Sequence, residues 1–148
     1  GRAKPAARFA AGLGLPIASA DKTRISDTEV KIGGLISRQV QGFEHALVYD
    51  DEIATAGSVV ELSQVLVESG VREITLVCTH GLFLGQAVER IKSIPQIREV
   101  ITTDTVERPL ERQHPNLTVH SVGHGFAQAN HQNYLRRSIG ELFEGMEG

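Results

Sequence analysis

Residues 45–62 read HALVYDDEIATAGSVVEL, and the order of side-chain types along them decides the fold. The apolar run Ala46-Leu47-Val48-Tyr49 has the length and continuity of a strand covered on both faces. Two carboxylates follow, Asp50 and Asp51, then the small residues Ala54, Thr55, Ala56, Gly57 and Ser58, then a helical pattern from about Val59. A strand that passes through a small-residue turn into a helix is the repeating unit of a parallel α/β sheet. Ligands of such sheets collect beyond the carboxyl ends of the strands. Unpaired carboxylates there are costly to bury, so Asp50 and Asp51 are expected to face the crevice, where they can accept hydrogen bonds from vicinal hydroxyls such as those of a ribose. Backbone N–H groups along 54–58, with no bulky side chain in the way, can wrap a phosphate, and the following helix aims its positive end at the same point. Gly57 allows the backbone angles and close approach this requires, and Thr55 and Ser58 add hydroxyl donors. The loop lacks the lysine and hydroxyl residue that end a Walker loop. A plain strand-to-helix turn with Ser58 as its cap would explain Ser58 but not the paired acids before it.

Outward from this stretch, strands and helices alternate. Ser58 to Ser69 is amphipathic and stops at Gly70, and Glu73 to Cys78 is a second buried strand. Gly85 to Ile94 reads as a helix, Glu99 to Thr102 as a strand, Arg108 to Pro115 as a polar loop or helical turn, Leu117 to His120 as the last strand and Val122 to Arg137 as a helix. Before the central stretch, Pro5 to Gly14 is helical, with Ala6, Ala7, Phe9, Ala10 and Leu13 apolar. Pro16 to Ala20 reads as a short strand, Asp21 to Thr28 as a polar segment, and Glu29 to Gln41 as a hairpin or irregular strand pair around Gly33-Gly34. The tail Ile139 to Phe143 has apolar residues to dock on the domain or a partner. Lys22 and Arg24 could fold over an anionic reaction centre and stabilise charge on transferring phosphoryl oxygens, although on the residues alone a solvated surface loop is the simpler reading. Thr79-His80-Gly81 and Thr102-Thr103-Asp104-Thr105 fall at strand ends, where turn chemistry or a ligand-facing position is equally open. His120, His124 and His131 straddle a strand–helix junction with no acidic or cysteine ligand at useful spacing, which argues against a transition-metal site.

The chain has 148 residues, 41% of them hydrophobic, and a formal charge of −3, which suits one soluble α/β domain over residues 1–148 with a single core. That balance points to neither nucleic acid nor an anionic membrane as partner, and no apolar run approaches the length of a membrane span. Cys78, the single cysteine, lies in an apolar strand pattern and is expected to be a buried inert thiol. A cytoplasmic setting fits.

The 50–58 stretch resembles the phosphoribosyl-pyrophosphate motif of type I phosphoribosyltransferase folds. Further blocks narrow the resemblance: Asp21-Lys22-Thr23-Arg24, Cys78-Thr79-His80-Gly81-Leu82-Phe83, Ala87-Val88-Glu89-Arg90-Ile91, Thr102-Thr103-Asp104-Thr105 and Ser138-Ile139-Gly140-Glu141-Leu142-Phe143. In order and approximate spacing they are similar to ribose-phosphate pyrophosphokinase across nearly the whole chain. The resemblance implies a phosphoribosyltransferase-like fold, a mostly parallel sheet flanked by helices, and a chain corresponding to the C-terminal half of that enzyme. It implies pyrophosphoryl transfer from ATP to the anomeric hydroxyl of ribose 5-phosphate, giving phosphoribosyl pyrophosphate and AMP. Lys22 and Arg24 would be the catalytic pair, Ala54, Thr55, Ala56, Gly57 and Ser58 would hold the 5-phosphate, and Asp50 and Asp51 the ribose hydroxyls, directly or through Mg2+. It also implies a homo-oligomer, dimers building to a hexamer. The family pattern has aspartate where this chain has Ala54, and often arginine where it has Thr23. These departures, with the half-length, lead to the expectation that the 148 residues alone do not turn over. They leave two alternatives: an orotate-type phosphoribosyltransferase that consumes phosphoribosyl pyrophosphate, and a non-catalytic regulatory paralogue.

Overall fold

Apolar runs alternating with amphipathic helical patterns bury both best as strands side by side with helices laid across them. The computed structural model describes residues 3–18, 36–107 and 115–143. Within them four strands form one parallel sheet: β1 (His45–Ile53), β2 (Glu73–Gly81), β3 (Ile97–Thr103) and β4 (Leu117–His120), in that spatial order. β1 meets β2 from His45↔Glu73 to Ile53↔Gly81, β2 meets β3 with a register shift between Ile74 and Thr75, and β3 meets β4 from Val100↔Leu117 to Thr103↔His120. The helices are α1 (Ala3–Gly12), α2 (Gly57–Glu68), α3 (Ala87–Lys92) and α4 (Gly123–Tyr134), and a 3-10 turn covers Gly140–Phe143. The expected α/β class and parallel sheet are what the structure has.

Parallel strands taken in sequence order, joined by right-handed crossovers, put their connecting helices on one face. Burial follows that rule. Val48, Ile74, Leu76 and Val100 are buried together with Val59 and Leu66 of α2 and Ala87, Val88 and Ile91 of α3. The opposite face is only half covered: Leu47 stays 38% exposed, and α1 reaches this side through Phe9, whose ring stacks on Tyr49 with centroids 5.0 Å apart. Among the described residues Ala46–Tyr49 is therefore better sheltered on the face of Val48 than on that of Leu47, where its continuous apolar character suggests cover on both. Successive strand residues alternate faces, and sequential order gives the second face no crossover helix.

Other sequence expectations are corrected. Residues 15–18 have no regular structure where a strand is expected over 16–20, whose residues 19 and 20 lie outside the described residues; Pro16 lacks an N–H to donate, and Ile17 is 47% exposed. Within 29–41, residues 36–39 are helical rather than extended, and Ile36 and Val40, one helical turn apart, are buried in the core; residues 29–35 lie outside the described residues. α3 is shorter than its apolar pattern, and α4 lies within the expected 122–137 span. Among the described residues no helix is long and apolar enough to cross a membrane.

Candidate functional site

β1 runs on through the two acids to Ile53, so Asp50 and Asp51 belong to the strand instead of following it. Both are half-buried. Asp50 pairs in register with Cys78, on the face of Val48, and alternation turns Asp51 toward the face of Tyr49. The carboxylates thus approach the strand end from its two sides. The Asp51 N–H donates to Asp50 Oδ1 at 2.9 Å, which fixes the first carboxylate against the backbone of the second.

The turn after β1 is made by Ala54, Thr55 and Ala56, and α2 starts at Gly57. The left-handed residue is Ala56, at φ 62 and ψ 10, while Gly57 is not among the positive-φ glycines. Nor is Ser58 the cap that a plain strand-to-helix turn would have: Ala56 holds that position, and among the described residues no side chain caps α2. A left-handed alanine carries a steric cost of about 1–2 kcal/mol, so its surroundings must hold it. They do, because the Ala56 methyl is buried in the core. Gly57 contributes openness instead, since a Cβ there would meet nothing within 4 Å.

Three successive carbonyls, from the last strand residue into this turn, accept hydrogen bonds from the 82–90 segment, and that of Ala56 accepts from Val60 N–H within α2. Leu82 and Phe83 N–H donate to the Ile53 carbonyl at 3.0 and 3.1 Å, and Leu84 N–H donates to the Ala54 carbonyl at 2.8 Å. Arg90 Nη1 donates to the Thr55 carbonyl at 2.9 Å. The N–H groups of Thr55, Ala56, Gly57 and Ser58 have no acceptor among the described residues. Four unspent donors stand together at the start of a helix, with exposed hydroxyls at Thr55 and Ser58, a donor set of the chemistry that suits an anion. Sequence reasoning located these donors but missed what holds them. Arg90 lay in view within the 87–91 block, and nothing along the chain linked it to residue 55.

Beside the turn, the ends of β2 and β3 are knitted by threonines. Thr103 Oγ1 donates to the Thr79 carbonyl at 2.7 Å, and His80 Nδ1 lies 2.8 Å from Thr105 Oγ1. Asp104 Oδ1 accepts from Val122 N–H at 2.9 Å ahead of α4. Thr103, Asp104 and Thr105 thus tie the end of β3 to β2 and to the residues before α4. Cys78 is buried, as expected, with Sγ 3.4 Å from Thr102 Oγ1. A shallow depression lined by Gln64, Val67, Glu68, Ser93 and Gln96 lies at the far end of α2 from the turn and shares no residue with this site. Lys22 and Arg24 fall outside the described residues. Among those described, no three His, Cys, Asp or Glu side chains gather as a metal cluster.

The sheet, the acidic strand end and the small-residue turn define a phosphoribosyltransferase-like α/β domain. The sequence model of the phosphoribosyl synthetase-associated domain matches residues 6–144, and the chain belongs to that family. A putative ribose-phosphate pyrophosphokinase of Streptomyces coelicolor is 38% identical over 144 residues, covering 97% of this chain and 45% of that protein. The ribose-phosphate pyrophosphokinase of Rhodopirellula baltica is 38% identical over 131 residues, covering 88% of this chain and 41% of that protein. The crystal structure of phosphoribosylpyrophosphate synthetase from Mycobacterium smegmatis superposes with a TM-score of 0.75 at 27% identity, covering 91% of this chain and 42% of that one. The chain thus spans less than half the length of these relatives.

Proposed function

We propose that this chain carries the sugar-phosphate site of a ribose-phosphate pyrophosphokinase, acting in the cytoplasm as part of a homo-oligomer. The reaction is transfer of the pyrophosphoryl group of ATP to the anomeric hydroxyl of ribose 5-phosphate. The observation that carries the reading is the turn at 54–58, whose N–H donors stand open at the end of a strand bearing Asp50 and Asp51. The names of the relatives supply the reaction, and they favour it over an orotate-type enzyme.

In this reading the N–H groups of 55–58 and the Thr55 and Ser58 hydroxyls bind the 5-phosphate. The carboxylates accept from the ribose hydroxyls and orient the anomeric oxygen toward the incoming phosphoryl group. Lys22 and Arg24 are assigned the neutralisation of the transferring phosphates. A magnesium ion fits the donor set: Asp50 and Asp51 offer hard oxygens at one strand end, and an ion that keeps several waters needs only one or two carboxylates plus substrate phosphates. When bound, it would offset polyphosphate charge.

The test is calorimetric titration of the chain with ribose 5-phosphate and with phosphoribosyl pyrophosphate, each with magnesium, beside Asp51→Asn. Both ligands are expected to bind, and the variant to bind more weakly. Failure of both to bind the parent chain would remove the reading.

A further inference from the structure

We infer that Arg90 is a positioning residue for the 54–58 turn, holding the Thr55 carbonyl so that the Ala56 N–H is aimed and polarised for an incoming phosphate. The inference rests on the reading of 54–58 as the ribose 5-phosphate site and adds a residue outside it. Three successive carbonyls, those of Ile53, Ala54 and Thr55, accept hydrogen bonds from the 82–90 segment. The peptide bonds are trans, with no cis bond in the described chain. Carbonyl and N–H of one trans peptide point in opposite directions. Tying the carbonyls to the 82–90 segment therefore turns the N–H groups of Ala54, Thr55 and Ala56 away from it.

The third tie differs from the first two. Leu82, Phe83 and Leu84 donate from neutral backbone, whereas Arg90 donates from a cation. A guanidinium on a carbonyl oxygen draws electron density along the peptide and strengthens its N–H as a donor. The peptide in question joins Thr55 to Ala56, the residue held in the left-handed conformation. Among the described residues Arg90 makes no ion pair with a carboxylate. Its side chain is exposed, so replacing it leaves the core intact.

Arg90→Met keeps the side-chain length and removes the donor; Arg90→Lys keeps the cation. Two readouts are taken: the affinity for ribose 5-phosphate by calorimetry, and the Ala56 amide resonance in the ligand-free protein. Arg90→Met is expected to weaken binding about tenfold, the scale of one charge-assisted hydrogen bond, and to move the Ala56 amide proton upfield. Arg90→Lys is expected to fall between Arg90→Met and the parent on both measures, which loss of packing alone would not produce. Weakened binding with an unmoved Ala56 resonance would overturn the inference, because Arg90 would then touch the ligand itself. Unchanged affinity with Asp51→Asn still impaired would also overturn it while leaving the site standing. Should the parent chain bind no ribose 5-phosphate, the site reading fails separately, and a stationary Ala56 resonance would sink the brace as well.

Discussion

Replacing Gly81 with alanine tests whether the 82–84 segment has room to move beneath the turn. A Cβ at Gly81 would stand 2.7 Å from Phe83 Cε2, 2.8 Å from Thr102 Oγ1 and 2.9 Å from Phe83 Cζ. Ordinary contact begins near 3.4 Å, so the ring must retreat by 0.7 Å (3.4 minus 2.7). It has nowhere to go: Phe83 is fully buried, with its backbone at φ 47, and Thr102 is 1% exposed. Gly81 itself is not in the positive-φ region, so the effect is steric and not conformational. Overpacking without an escape route sits at the upper end of its usual range, about 2–3 kcal/mol. Near 3 °C per kcal/mol for a domain of this size, that lowers Tm by about 6–9 °C. Urea unfolding and thermal melts measure it. The matched control is Gly57→Ala, where nothing lies within 4 Å, and a first-turn alanine should leave stability unchanged or raise it by about 0.5 kcal/mol. If Gly81→Ala unfolds within about 0.5 kcal/mol of the parent, the range of ordinary surface substitutions, the 81–84 segment is not the rigid support described.

Two further outcomes follow from the turn and from α1. Ala56→Val puts a β-branched side chain into a left-handed, buried position and should destabilise by about 2–3 kcal/mol in urea unfolding, a sum of backbone strain and overpacking. Phe9→Ala removes the ring that stacks on Tyr49 and should lower stability by about 1 kcal/mol, while amide exchange accelerates through α1 and stays slow in β2.

The elements most legible in the sequence were those whose own side chains carry the signal. Ile74, Leu76 and Cys78 alternate with half-buried neighbours in β2, and Val59, Ser63 and Leu66 mark the inner side of α2, so both were found close to their observed bounds. The 36–39 helix was missed because Gly33-Gly34 suggested a turn, although Ile36 and Val40 already had helical spacing. At the candidate site the sequence carried the residue types but not the backbone geometry. Asp50 and Asp51 were expected beyond the strand because acids seldom continue one; pairing with β2 carries them in. Gly57 has the freest backbone of this loop, yet the left-handed residue is Ala56, whose methyl the core accepts. The ties from Leu82, Phe83, Leu84 and Arg90 could not be read at all. They join residues about thirty positions apart, and local pattern says nothing about such pairs.

Those ties mean that the 45–62 sequence is not a portable cassette. Excised as a peptide, or grafted after a strand of an unrelated sheet, it would keep every side chain that prompted the reading and lose the donors that fix the carbonyls of Ile53, Ala54 and Thr55. The turn would then sample many conformers, and any anion it met would first have to order it. Transplantation would succeed only with residues 73–90 carried along, because β2 and the turn after it are the mould in which the loop is cast.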